Sequence, residues 1–112
     1  MAGNRGMEEE KLELVMTDGF LTSLESLVQD WAEVGLTEEK ISEYVVLIQS
    51  SLESLKCFPR RFADVSGTFG FSMETRRIQI GRLYAIFYRI DQEKGYLLIG
   101  PIYHQRQLRQ KF

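Results

Sequence analysis

Arg76-Arg77-Ile78-Gln79-Ile80-Gly81-Arg82-Leu83-Tyr84-Ala85-Ile86-Phe87-Tyr88-Arg89-Ile90 reads as two strands and a turn. Over Arg76–Ile80 the side chains alternate, with Ile78 and Ile80 on one face and Arg77 and Gln79 on the other. Period two is the mark of a half-buried strand. Gly81-Arg82-Leu83 is short enough to turn the chain. Tyr84–Ile90 alternates again, Tyr84, Ile86, Tyr88 and Ile90 against Ala85, Phe87 and Arg89. Two such runs so closely joined form an antiparallel pair with an apolar face that another layer must cover.

Downstream, Asp91-Gln92-Glu93-Lys94-Gly95 reads as a turn and Tyr96–His104 as a third strand. Pro101 lies inside that strand and lacks an N–H, so it requires a bulge or an unpaired position. Residues 105–112 form a basic tail with room for one helical turn. Upstream, residues 59–75 read as an irregular loop anchored by Phe62, Phe69 and Phe71.

The cover comes from the first half. Phe20, Leu24, Leu27, Val28 and Trp31 recur at helical spacing after the capping pair Thr17-Asp18, and Gly35 is a stop. Thr37 caps a second helix, whose stripe runs through Ile41, Tyr44, Val45, Ile48, Leu52 and Leu55. The short link between them implies an antiparallel hairpin. Residues 11–17 alternate around Leu12, Leu14 and Met16, as a short strand does. Strand, two helices and a three-stranded antiparallel meander make an α+β domain, with the helices on one face of a four-stranded sheet. The helices are expected over Ile78, Ile80, Tyr84, Ile86 and Tyr88, leaving Arg77, Gln79, Phe87 and Arg89 on the open face.

A chain of 112 residues is one domain's worth. Residues 11–112 are assigned to it and residues 1–10 to a polar lead-in or an expression remnant. One Cys and one His exclude an internal disulfide and a zinc site built from Cys and His alone. Cys57, near a helix end, is expected to be small and buried. No apolar run reaches a membrane span, and the polar N-terminus is no signal peptide. A cytoplasmic protein with no cofactor and no metal is expected. The net charge of −2 hides a division: residues 1–55 hold twelve acids and three bases, residues 56–112 eleven bases and four acids. Either the two halves neutralise each other within the fold, or the basic half faces a partner.

Four stretches together carry a resemblance. They are Leu55-Lys56-Cys57-Phe58-Pro59, Arg76-Arg77-Ile78-Gln79-Ile80-Gly81, Leu83 through Asp91, and Ile102-Tyr103-His104-Gln105-Arg106. In their order and spacing the chain resembles the RelE/ParE superfamily of type II toxin–antitoxin toxins, over about residues 11–112. The resemblance implies a toxin held inactive by a cognate antitoxin. The activity expected first is that of a metal-independent endoribonuclease that cuts mRNA on the ribosome and so inhibits translation; the alternative is a non-enzymatic inhibitor of DNA gyrase that uses the same basic sheet face.

Metal-free RNA cleavage needs a base for the 2′-OH, cations for the phosphate charge and an acid for the leaving oxygen. The resemblance assigns His104, in a Tyr-His pair closing the last strand, with Arg77 and Arg106 as catalytic candidates. Arg76, Gln79, Arg82, Phe87, Arg89 and Arg109 are the candidates for contact with RNA or a protein partner. Gln79 stands where the nuclease branch carries a lysine, and Ala85 where it carries an arginine. Arg82 or Arg89 would have to substitute. Phe87 offers either a stacking surface for a base or a seat for the tail or the antitoxin.

Overall fold

A computed structural model of the chain describes residues 12–106 and residue 112. The elements are β1 (Glu13–Met16), α1 (Asp18–Glu33), α2 (Glu38–Ser54), α3 (Ser66–Phe69), β2 (Arg76–Ile80), β3 (Tyr84–Asp91) and β4 (Tyr96–His104). The sheet order is β1-β4-β3-β2. β2–β3 and β3–β4 are antiparallel, while β1 joins β4 in parallel, so the sheet is mixed. The lead-in, and most of the tail beyond residue 106, lie outside the described residues.

The two long helices, α1 and α2, each begin on a threonine cap. Thr17 Oγ1 accepts from the Phe20 N–H and donates to the Ile99 carbonyl at 2.6 Å, tying the start of α1 to β4. Thr37 Oγ1 accepts from the Lys40 N–H. Glu38 and Glu39 follow in the first turn, where the helix dipole favours acids. Gly35 takes φ 97° just past α1, a backbone angle that favours glycine.

The main core lies between the helices and one face of the sheet. Phe20 and Trp31 from α1 and Ile48 and Leu52 from α2 meet Ile78, Ile80, Ile86, Tyr88, Leu97, Ile99 and Ile102. This is the face the alternation assigned to burial. The exposed acids of α1 and α2 stay at the outer surface, where Lys40–Glu43 and Lys56–Glu53 pair within single turns. Such exposed pairs add little stability.

Residues 59–75 are less irregular than expected. They hold the single turn α3, ended by Gly70 at φ 77°, and an antiparallel bridge between Asp64 and Arg76. Asp64 Oδ1 accepts from the N–H groups of Ser66 and Thr75. Those bonds, the Ser66 N–H foremost, hold its carboxyl below the usual aspartate range. Cys57 is exposed, contrary to expectation, because α2 ends at Ser54 and the chain swings outward before Pro59. Phe58 beside it takes φ 59° and is 71% exposed.

Candidate functional site

The position of His104 follows from one irregularity in β4. Ile86 pairs with Ile102 and Tyr88 with Ile99, so Phe87 faces both Gly100 and Pro101. This is the bulge Pro101 demanded. An extra residue reverses the alternation beyond it. Leu97 and Ile99 point to the helices and so do Ile102 and His104, while Tyr103 points to the other face. β1 has ended at this level, and the Ile102 N–H donates to Ser23 Oγ of α1 at 3.0 Å.

His104 therefore stands opposite Tyr84 on the helix side of the sheet, edge-on to its ring at 5.4 Å. It lines a cleft of about 490 Å³ with Ser26, Asp30, Trp31 and Val34 of α1 and its following turn. Its Nδ1 accepts from the Arg106 N–H at 3.0 Å, so the neutral ring carries its proton on Nε2. The Trp31 Nε1–H donates to Tyr84 Oη at 3.1 Å, and Trp31 stacks on Tyr44 at 4.9 Å. Tyr44, Trp31, Tyr84 and His104 thus form a continuous aromatic row at this end of the molecule.

Arg77 belongs to the opposite face. It reaches the Tyr103 hydroxyl at 3.3 Å and lies over the Phe69 ring at 5.4 Å. The sheet itself separates Arg77 from His104, so the expected catalytic set is not assembled on one surface. Arg106 is exposed in the turn after β4, on the same end as His104. Arg109 lies outside the described residues.

The face expected to be open is covered. Ala85 and Phe87 are fully buried and Tyr103 is 5% exposed. Phe69 and Phe71 meet the Phe87 ring edge-on at 5.0 and 4.9 Å, and Tyr103 stacks on it at 4.7 Å. Val65 and Phe112 complete this second cluster. Phe87 therefore has no face for a base, and the loop that looked like a connection is its lid. Ala85, where the nuclease branch carries arginine, is packed under aromatic rings.

Two further arginines hold that loop in place. Arg76 donates to the carbonyls of Arg60 and Phe62 and pairs with Glu74. Arg89 donates from Nε to Thr75 Oγ1 at 2.9 Å and lies over the rings of Phe71 and Phe112, at 5.5 and 3.9 Å. Burial lowers its pKa. Thr75, itself fully buried, relays this hold to Asp64 through its N–H. Neither Thr75 nor Asp64 was legible as important, because the bond between them spans eleven residues of loop and the one from Thr75 to Arg89 spans fourteen residues of strand and turn.

What remains available is the end of the sheet. Gln79 donates to Gln105 Oε1, and Gln105 in turn donates to the Arg82 carbonyl. This bond chain sets the exposed Arg82 turn beside Gln79, with Arg106 and His104 on the adjoining strand end. Among the described residues, no group of His, Cys, Asp and Glu is arranged to hold a metal ion. No described helix is long and apolar enough to cross a membrane.

The architecture is that of the RelE/ParE-like α+β fold. Among solved structures the chain is similar to one titled as the chromosomal ParDE toxin–antitoxin system from P. aeruginosa, with a TM-score of 0.66. The match covers 85% of this chain and 97% of that one at 15% identity, which speaks for a shared fold. No family model and no curated protein matches the sequence.

Proposed function

We propose that the chain is the toxin of a toxin–antitoxin pair and that it acts by binding a protein target rather than by cutting RNA. It works in the cytoplasm, held inactive by a cognate antitoxin, and DNA gyrase is the first target to test. One observation carries the choice: the bulge in β4 leaves His104 on the helix side of the sheet, while the regular alternation of β2 carries Arg77 on the other. A phosphoryl-transfer site needs its acid–base group and its cation around one phosphate. Burial of Ala85 and Phe87 points the same way, since that face offers no groove for RNA. The target-binding surface is the end of the sheet, where Gln79, Arg82 and Arg106 are exposed. Exposed cations at a protein interface steer association and set its partner.

The endoribonuclease reading keeps one observation in its favour, the open cleft onto which His104 faces, with Arg106 beside it. A single experiment separates the two. Purified chain is added to a gyrase supercoiling reaction and, in parallel, to a translated mRNA read by primer extension. Supercoiling is expected to fall and the mRNA to stay intact. The double variant Arg82→Glu, Arg106→Glu is expected to weaken inhibition by about tenfold or more. Codon-phased cuts that disappear with His104→Ala would overturn the proposal in favour of the nuclease.

A further inference from the structure

The cleft onto which His104 faces lies between α1 and the end of β4. α1 carries four acids, Asp18, Glu25, Asp30 and Glu33, and no base along its length. Asp30 is the one that lines the cleft. It stands in the last turn of the helix, where the carbonyl end of the dipole attracts positive charge, and no base in that turn answers it. Among the described residues no lysine or arginine lines the cleft, and none pairs with Asp30. The rest of the lining is largely aromatic and apolar, with Trp31, Tyr84 and His104 beside Leu27 and Val34. The indole N–H is spent on Tyr84 Oη, and Ser23 Oγ is spent between the Ile102 N–H and the Phe20 carbonyl. The Asp30 carboxylate and the Ser26 hydroxyl stand next to these rings. A carboxylate beside aromatic surface suits an organic cation, which meets the charge with its ammonium and the rings with its alkyl groups. A phosphate would find no cation in this lining and one like charge.

We propose that this cleft binds a small organic cation, an alkylammonium of the polyamine type, with one ammonium on Asp30 and its methylene chain along Trp31 and Tyr84. A volume of about 490 Å³ is that of a small-molecule site and accommodates such a chain. The inference rests on the lining of the cleft alone and holds whichever target the protein inhibits.

The chain has one tryptophan and one histidine, and both line the cleft, so their ring resonances report on it directly. Full-length chain is titrated with spermidine at constant ionic strength while the Trp31 indole N–H and the His104 ring protons are followed by NMR. Saturable shifts at both are expected. Asp30→Asn should weaken binding about fivefold, the upper end for an exposed ion pair, and Glu25→Gln by less than about twofold. The second variant removes the same charge from the same helix, outside the lining. Both positions are exposed, so both variants keep the fold. Magnesium chloride should shift neither reporter, since an inorganic ion has no alkyl chain to lay on the rings. Uridine monophosphate should also shift neither. The absence of a saturable shift with spermidine overturns the proposal. Equal weakening by the two variants, or magnesium shifts as large as those of spermidine, overturns it as well, by reducing the effect to the general attraction of an acidic helix. Shifts with uridine monophosphate and none with spermidine reject it and return the cleft to the nuclease reading.

Discussion

Tyr88 combines the two demands that a buried tyrosine has to meet. Its ring is fully buried in the main core, and its hydroxyl donates to the Pro59 carbonyl at 2.7 Å. That bond pins the start of the loop that follows α2, next to the strained Phe58. Burial pushes the phenol up to about 12, against the opposing pull of Arg76 and Arg61. In the unfolded chain it ionises near 10. The folded state thus holds its proton longer, and the associated stability is complete below pH 10 and lost as pH rises towards 12. The loss amounts to as much as about 2.7 kcal/mol. Urea titrations between pH 9 and 12 should show it. Tyr88→Phe should be less stable than wild type by about 1–2 kcal/mol at pH 7, with a flatter alkaline profile. Identical alkaline slopes for the two would show that Tyr88 does not ionise on unfolding. That Tyr88 belongs to the core was legible from its alternation with Tyr84 and Ile86. Its acceptor was not, because a backbone carbonyl 29 residues away leaves no pattern in the side chains.

At the scale of elements, β4 shows how far periodicity carries and where it stops. Pro101 announced an irregularity, and the irregularity is there. What the sequence does not announce is which residues beyond it change sides. An extra residue reverses the facing of everything downstream, so His104 and Tyr103 exchange the faces that unbroken alternation from Leu97 would assign them. The bulge is what puts His104 on the face opposite Arg77, with which it was expected to share a phosphate. The structure also shows what makes the bulge tolerable: Ser23 Oγ takes the Ile102 N–H that β1 no longer reaches. Ser23→Ala should therefore cost about 1–2 kcal/mol, the penalty of a polar group left without its partner. Deleting Pro101 removes the extra residue itself. Alternation then runs unbroken from Leu97 to His104, with Gly100 opposite Phe87 and with Ile102 and His104 still on the helix side and Tyr103 on the other. The deletion should therefore keep a cooperative thermal transition, as Ser23→Ala does. A deletion variant that loses it would mean that the strand end needs the bulge for more than the facing of its side chains.

On the whole-molecule scale, the sheet is covered on both faces by layers of unequal thickness. One layer is the helical hairpin, with Phe20, Trp31, Ile48 and Leu52 seated on the strands. The other is only the loop of residues 59–75, with α3 as its single turn and half-buried Phe69 and Phe71 as its apolar contacts. Helical spacing made the first layer legible. The second escaped because three phenylalanines scattered through a glycine-bearing stretch have no period, and their partners lie across the chain. Its fastening is mostly polar: Asp64 to Thr75, Thr75 to Arg89, Arg76 to two loop carbonyls. A thin layer held in this way should open without the rest, since little apolar surface has to be exposed to release it. Native-state hydrogen exchange distinguishes the layers. The amides of Val65, Phe69 and Phe71 bond to Thr75, Val65 and Ser66 within or beside the loop, and should exchange through a partial opening. Those of Ile86, Tyr88, Leu97 and Ile99, at fully buried positions, should exchange only on global unfolding. Phe69→Ala removes the ring that touches Phe71, Phe87, Tyr103 and Arg77. It should lower the opening free energy of the loop amides by about 2 kcal/mol, expose Phe87 and raise the binding of a hydrophobic dye. If the loop amides instead exchange with the same free energy as Tyr88 in the wild-type chain, the second cluster is part of one indivisible core. Burial of Ala85 and Phe87 is then as permanent as that of Ile86, and no opening of that face can restore a groove for RNA.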